Sequence, residues 1–136
     1  MQHYTSIEQS KKLVELGLNP DTADMWWTPL NWQLTEYYVE VKQDGINTPK
    51  NPLPCWSLGA LLEVMPPYLF EFERGIDLNI YRNLNGKGWH VSYMSNTIEG
   101  MQKDKFRQIT NGETSIDAAY NIVVWLLENG YIKKGE

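Results

Sequence analysis

The sequence predicts a single α+β domain in which an antiparallel sheet of three or four strands packs against helices. The first indication is the alternation of apolar and polar residues over positions 68–94, which is typical of strands with one buried face. The second is the helical spacing of apolar residues in the segments that begin near Leu58 and Ile116. The length of 136 residues suits one domain, so we expect residues 1–136 to fold as one unit in the order α-α-β-α-β-β-β-α.

The N-terminal segment predicts a helix followed by a short helix or turn. Residues 5–8, Thr-Ser-Ile-Glu, have the pattern of a capping box in which the Thr5 hydroxyl and the Glu8 carboxylate each accept a backbone N–H. Gly17 is placed to end this helix in the left-handed conformation. Asn19 before Pro20 then predicts a new helical start.

The next segment gives a mixed pattern with one predicted strand. Residues 34–41 are rich in β-branched and aromatic side chains, and Tyr37, Val39 and Val41 are spaced to share one face of a strand. Residues 43–54 contain three prolines and an Asp-Gly pair, a composition that excludes a helix interior or a central strand. We therefore predict a Pro-rich, partly extended connector near residues 43–54.

The C-terminal half predicts a helix, three antiparallel strands and a final helix. Ser57 is expected to cap a helix over residues 58–65. Strands follow at residues 68–73, 76–81 and 89–94, with Gly-containing turns between them, and another strand is possible near residues 106–109.

The final helix is bounded by a capping signal at residues 114–117 and by Asn129-Gly130. Its apolar surface is wider than one sheet face needs, so we expect it to be sandwiched inside the domain or shared with a partner. Ala118, Ile122 and Trp125 form the surplus part of that surface and are the candidate self-association residues.

Charge and composition exclude several classes of function. The chain has 12 basic and 17 acidic residues, a net charge of -5 that disfavours nucleic acid as a partner. The predicted order from Ser57 to Gly130 matches the double-stranded RNA-binding domain, but Glu113 and Asp117 at the start of the last helix would repel phosphates. A single cysteine, no glycosylation sequon, no secretory leader and no long apolar run together predict a cytoplasmic protein with no membrane partner.

Candidate catalytic groups are few. Glu71 and Glu73 would share a strand face about 7 Å apart, within the carboxyl separation of inverting glycosidases. Alternating glutamates on an exposed sheet face are common, however, so solvation is the favoured interpretation. Cys55 with His90 lacks a third orienting residue, and a packed thiol is favoured. The sequence has no clustered metal ligands and no nucleotide-binding motif, so we predict no catalytic residue, metal or cofactor.

Aromatic content is the unusual feature of the sequence, with six Trp, eight Tyr and three Phe. Trp and Tyr concentrate binding energy at interfaces, but a small domain can also bury them as core. The candidate binding surface consists of Trp26, Trp27, Trp32, Tyr37, Tyr38 and Trp56.

Three stretches of the sequence are distinctive when taken together. They are residues 6–25 with the LGLNP junction at 16–20, residues 54–62 (PCWSLGALL), and residues 117–121 (DAAYN) running into 124–132 (VWLLENGYI). These stretches resemble a family of uncharacterised small proteins from phage and prophage regions of gut Bacteroides-type bacteria. The resemblance extends over most of the chain. It implies a mobile-element setting and brings neither an activity nor a catalytic residue.

Together these observations favour a non-enzymatic protein-interaction or assembly domain that forms homo-oligomers. The alternative is a small-ligand-binding protein or small enzyme with an aromatic-lined pocket near residues 26–56. An apolar cavity containing a buried ionisable group would favour the alternative, whereas an apolar patch suited to a two-fold contact would favour self-association.

Overall fold

The computed structural model describes residues 3–30, 36–43, 52–67, 76–83, 86–95 and 107–135. Over these residues the chain forms α-helices, one 3₁₀ turn and strands that pair into two antiparallel sheets of three strands each. The predicted α+β class is therefore confirmed. The prediction of one sheet of three or four strands is corrected, because short strands in the Trp-rich and Pro-rich segments form a separate sheet of their own.

The first helix, α1, spans Ile7–Glu15 and begins one residue later than predicted. The Ser6 hydroxyl accepts the Gln9 N–H at 3.1 Å, and the Gln9 side-chain oxygen accepts the Ser6 N–H at 2.9 Å. Gln9 thus has the role that the sequence assigned to Glu8. Gly17 ends the helix with φ of 93°, as predicted, and a 3₁₀ turn over Pro20–Thr22 follows.

The first sheet consists of β1 (Met25–Pro29), β2 (Tyr37–Val41) and β3 (Leu53–Cys55) in the order β2-β1-β3. The strand predicted at residues 34–41 is confirmed in its described part, which starts at Glu36. In contrast, β1 was not predicted, and β3 lies in the expected connector. Pro54 is compatible with β3 because it is in an edge strand and its nitrogen points away from β1, so no hydrogen bond of the ladder is lost.

The helix α2 spans Leu58–Val64 with Ser57 as its N-cap, as predicted. The second sheet contains β4 (Ile76–Arg82), β5 (Trp89–Ser95) and β6 (Arg107–Gly112), with β5 in the centre. The strands predicted at 76–81 and 89–94 are confirmed, and β6 begins within the segment where a strand was considered possible. The strand predicted at residues 68–73 lies outside the described residues.

The last helix, α3, spans Ser115–Glu128 and has its predicted cap, since the Thr114 hydroxyl accepts the Asp117 N–H at 3.1 Å. It packs against β5, β6 and α2. The end of β6 approaches the start of α3 so closely that a Cβ at Gly112 would lie 2.4 Å from the Ala118 nitrogen. Glycine is therefore required there. In the described part of the chain, no helix combines the length and the apolar character needed to cross a bilayer.

The main core lies between α3, α2, α1 and β5. It includes Leu13, Leu18, Ala23, Trp56, Ala60, Leu61, Met65, Val91, Tyr93, Ile116, Ala118, Ala119, Ile122, Val123, Leu126, Leu127 and Ile132.

The candidate self-association residues of α3 belong largely to this core. Ala118 and Ile122 are completely buried within the chain itself. Trp125 is half-buried and stacks on Tyr131 with ring centroids 5.2 Å apart. Of the two possibilities for the wide apolar surface of α3, the structure therefore shows the sandwiched one, and Ala118 and Ile122 offer no exposed area to a partner.

The burial of Ile122 gives a stability prediction. Ile122→Ala should lower the free energy of unfolding by about 2–5 kcal/mol, because it removes buried methylenes and leaves a cavity. Chemical denaturation followed by circular dichroism measures this change. Val14→Ala is the control, since Val14 on α1 is 41% exposed and its truncation should change stability by no more than about 0.5 kcal/mol. Equal effects of the two substitutions would contradict the core position of Ile122.

Candidate interaction surface

The six aromatic candidates do not form one surface. Trp56 is completely buried, and its indole N–H donates to the Thr22 hydroxyl at 2.9 Å, so it is a core residue and not a binding residue. Trp32 lies outside the described residues. The remaining four residues are in the two adjacent strands β1 and β2: Trp26, Trp27, Tyr37 and Tyr38.

These four side chains lie on opposite faces of the first sheet because neighbouring residues in a strand alternate. We call the face that carries Trp27, Tyr37 and Val39 the inner face, and the face that carries Trp26 and Tyr38 the outer face. The interpretation of the aromatic set as one continuous surface is therefore corrected: each face receives two of the four rings.

The inner face is covered at one end by the N-terminal segment. Trp27 makes an edge-to-face contact with Tyr4, with ring centroids 5.6 Å apart, and its indole N–H donates to the Thr5 carbonyl at 3.1 Å. This cover does not reach the C-terminal end of β2, since Val41 on the same face is 62% exposed. The inner face is thus buried toward β3 and open toward the end of β2.

On the outer face, a lysine covers the Trp26 ring. The Lys42 ammonium lies 4.0 Å from the ring centroid of Trp26 and donates to the Pro20 carbonyl at 3.0 Å. Desolvation lowers the pKa of Lys42, and the nearby carboxylates Asp21 and Asp24 oppose this shift. The cation–π contact holds the Trp26 ring against its own chain.

Tyr38 is the more accessible ring of the outer face, with 39% of its surface exposed. A side-chain hydrogen bond with the Glu40 carboxylate raises the pKa of Tyr38, with smaller contributions from desolvation and from the charge of Glu40. Next to it, Thr28 is buried, and a side-chain hydrogen bond with Thr28 partly opposes the rise in the pKa of Tyr38. The outer face therefore combines an accessible phenol and a carboxylate beside it.

Cys55 lies at the junction between the first sheet and the N-terminal segment. Its thiol donates to the Thr5 carbonyl at 3.5 Å, while the Thr5 hydroxyl accepts the Trp56 N–H at 3.0 Å and lies 2.8 Å from the Ser10 hydroxyl. Cys55 is completely buried, and desolvation raises its pKa to about 11. The expectation of a packed thiol is confirmed.

His90 belongs to the second sheet, where it contacts the Asn83 side chain and the Tyr81 ring. Its Nδ1 lies 2.9 Å from the Asn83 side-chain oxygen, and the Asn83 amide nitrogen donates to the Lys87 carbonyl at 2.8 Å. Since that amide nitrogen is already a donor, the Asn83 oxygen accepts the Nδ1–H of His90. The ring also rests on Tyr81, with centroids 5.0 Å apart. Glu71 and Glu73, the pair of glutamates considered from the sequence, lie outside the described residues.

Two clefts of the described structure lie away from the aromatic candidates. One, of about 470 Å³, lies between the end of α2 and the segment after α3, and is lined by residues that include Glu63, Tyr131 and Lys133. The other, of about 550 Å³, lies at the turn between β4 and β5, and is lined by residues that include Lys87 and Glu113. Neither cleft is lined by a residue of positions 26–56.

No protein-family model matches this chain, and neither a curated protein nor a solved structure shows significant similarity to it. The resemblance to phage-region proteins therefore stays a prediction.

Sequence reasoning missed two features of this surface. The strand β1 was not predicted because it has only five residues, ends in Pro29 and shows no clear alternation of apolar and polar residues, so it depends on pairing with both of its neighbours. The exposure of Val41 was also missed, although Tyr37, Val39 and Val41 were correctly placed on one face. Their alternation signals the strand, but it does not show that β2 lies at the edge of its sheet.

The environment of Cys55 predicts a pH dependence of stability. Its folded-state pKa of about 11 is above the ordinary value of 9.0, so the unfolded chain releases this proton first as the pH rises. The contribution to stability is therefore complete below pH 9.0 and is lost between pH 9.0 and about pH 11.

Urea denaturation across this pH range tests the prediction. Cys55→Ala should lose stability less steeply with rising pH than the natural chain, even if it is less stable throughout. The comparison between the two chains removes the parallel effect of Tyr93, whose pKa is also raised by burial. Identical slopes for the two proteins would show that the thiol is not desolvated in solution.

Proposed function

We propose that this chain is a non-enzymatic protein-interaction domain that self-associates through its first sheet. The observation that carries the proposal is the exposure of large apolar side chains at the β2 side of that sheet. Val41 is 62% exposed, Tyr38 is 39% exposed, and Leu30, just after β1, is 60% exposed. A mobile genetic element is the proposed setting, and only the sequence resemblance supports it.

The energetics of burial favour a protein partner for this region. Fully burying one Val or Leu side chain contributes about 1.5–3 kcal/mol relative to leaving it exposed. Tyrosine is enriched among the residues that dominate binding energy at protein interfaces. Tyr38 and Val41 lie on opposite faces of the five-residue strand β2, so a partner that binds along the edge of this strand can contact both.

The local charge also allows two copies to approach. Although the chain has a net charge of -5, β2 itself contains a single charged residue, Glu40, and Lys42 follows directly after the strand. Like charges opposed across an interface cost binding energy. The balance of Glu40 and Lys42 limits this cost.

The small-ligand alternative would use the same aromatic segment in another way. A planar ligand needs an accessible ring face on which to stack, and Tyr38 on the outer face is partly accessible. One face of the Trp26 ring is already covered by Lys42. Among the described residues, the segment therefore offers a ligand one exposed ring, Tyr38, whereas it offers a protein partner an entire strand.

Self-association is tested by measuring mass against protein concentration. In sedimentation equilibrium, the mass should rise with concentration from 15.8 kDa toward twice that value. Tyr38→Ser should raise the dissociation constant about tenfold, as expected when an interface loses about 1.4 kcal/mol.

Tyr81→Ser is the matched control, because Tyr81 is 46% exposed but lies on β4 of the second sheet. It should leave the dissociation constant unchanged. A strict monomer at every concentration would remove the proposal and leave the small-ligand alternative ahead. Equal weakening by the two substitutions would place the contact outside the first sheet.

A further inference from the structure

At every second residue of β2, the backbone N–H and C=O groups point away from β1 and therefore away from the sheet. The Lys42 N–H donates to the Asp24 carbonyl at 2.9 Å, and the Leu30 N–H donates to the Glu36 carbonyl at 2.7 Å. Antiparallel ladders alternate between hydrogen-bonded and non-hydrogen-bonded pairs, so the even-numbered residues of β2 bond to β1. The N–H and C=O groups of the odd-numbered residues therefore point outward: Tyr37, Val39 and Val41.

The edge of β2 that points away from β1 is open within the part of the chain that the structure describes, where β2 is the last strand of its sheet. The opposite edge of the same sheet is partly closed, because the Thr5 N–H donates to the Trp56 carbonyl at 2.8 Å. At the edge of the second sheet, the Leu78 N–H of β4 donates to the Pro67 carbonyl at 3.2 Å. The β2 edge thus differs from the β3 and β4 edges in having no such cover in the described structure.

The sequence of β2 also lacks the features that protect edge strands from pairing. Natural edges are commonly blocked by Pro, by Lys or by a bulge. β2 reads Tyr-Tyr-Val-Glu-Val and pairs with β1 over all five residues in continuous register. Its one charged residue, Glu40, has its backbone groups turned inward to β1.

We infer that two copies of this chain join through β2, antiparallel about a two-fold axis at Val39, to form one continuous sheet of six strands. This inference rests on the proposed self-association and specifies its contact. About the axis, Val39 faces Val39 of the second copy. Tyr37 faces Val41 of the second copy, and by symmetry Val41 faces its Tyr37. All three of these pairs join outward-turned groups, which gives about six backbone hydrogen bonds.

The register follows from the same geometry. An axis moved by one residue, to Tyr38 or Glu40, would pair two of the three outward-turned residues of β2 with β2 of the second copy and would leave the third without a partner in that strand. An axis moved by two residues, to Tyr37 or Val41, would leave one end of each strand unpaired. The axis at Val39 is therefore the arrangement that uses every outward-turned group of the strand.

The side chains suit this register on both faces of the joined sheet. On the inner face, the row of Tyr37, Val39 and Val41 continues into the same row of the second copy and covers the exposed Val41. On the outer face, Tyr38 lies opposite Glu40 of the second copy, so a phenol faces a carboxylate. No pair of like charges is directly opposed.

A proline at the axis tests the backbone contact. Because the Val39 N–H points outward, Val39→Pro removes no hydrogen bond of the β1–β2 ladder but blocks the edge. The dissociation constant should rise about tenfold or more, as expected for the loss of at least 1.4 kcal/mol. Val39→Thr keeps the N–H and the branched side chain, and should still dimerise. An unchanged dissociation constant in folded Val39→Pro would overturn the inference.

Engineered cysteines test the register independently of the proline. Residues in a hydrogen-bonded antiparallel pair have Cα atoms about 5.5 Å apart, within disulfide range. Val39→Cys should therefore crosslink to itself under mild oxidation. Two copies of Val41→Cys should not, because their sites would be about 13 Å apart along the strands. Cys55 is buried and provides the internal control, since the natural chain should form no crosslinked dimer.

The outcomes separate the inference from the function on which it rests. A natural chain that stays monomeric would reject the proposed self-association. A natural chain that dimerises with unaltered strength in Val39→Pro, or crosslinks through Val41→Cys as fast as through Val39→Cys, would keep that function and reject this contact. If Val39→Pro fails to fold, the comparison of the two cysteine variants decides the register.

Discussion

The structure depends on the need to cover α3, which is apolar around most of its circumference. Seven of its fourteen residues are buried, more than one sheet face can cover. The second sheet packs on one side of α3 and α2 on another, and Gly112 allows the end of β6 to reach the first turn of the helix. The helix α2 begins three residues after the end of β3. The packing of α2 on α3 therefore also fixes the position of β3 and of the first sheet.

In the residues that the structure describes, the first sheet is attached to this core mainly near β3. Thr5 binds it through the Trp56 backbone, the Trp27 indole and the Cys55 thiol, all near β3. Along the inner face, cover decreases from completely buried Cys55 to exposed Val41. Within the described structure, the opposite edge, β2, has backbone groups that point away from the sheet and apolar side chains that are uncovered. That physical situation is the basis for proposing a second copy of the chain at β2.

The sequence located the candidate interaction region only in part. It indicated the aromatic segment, and the strand propensity of residues 34–41 placed Tyr37, Val39 and Val41 on one face. It did not separate buried Trp56 from exposed Tyr38, since both are aromatic residues in segments of similar composition. It also suggested Ala118 and Ile122 as contact residues, because a helix with a wide apolar surface has the same pattern whether its own chain or a partner covers it.

The features that the sequence determined by itself are those with local causes. Capping hydroxyls, the left-handed Gly17 and the helical spacing of apolar residues set the helices, while alternation set β4 and β5, since each signal acts within a few residues. Tertiary structure alone decided the existence of β1 and β3, which pair across nearly thirty residues of chain, as in Met25 with Cys55. It also decided which apolar surfaces are covered. Pairing and burial depend on residues far apart in the chain, and a local pattern carries no information about those partners.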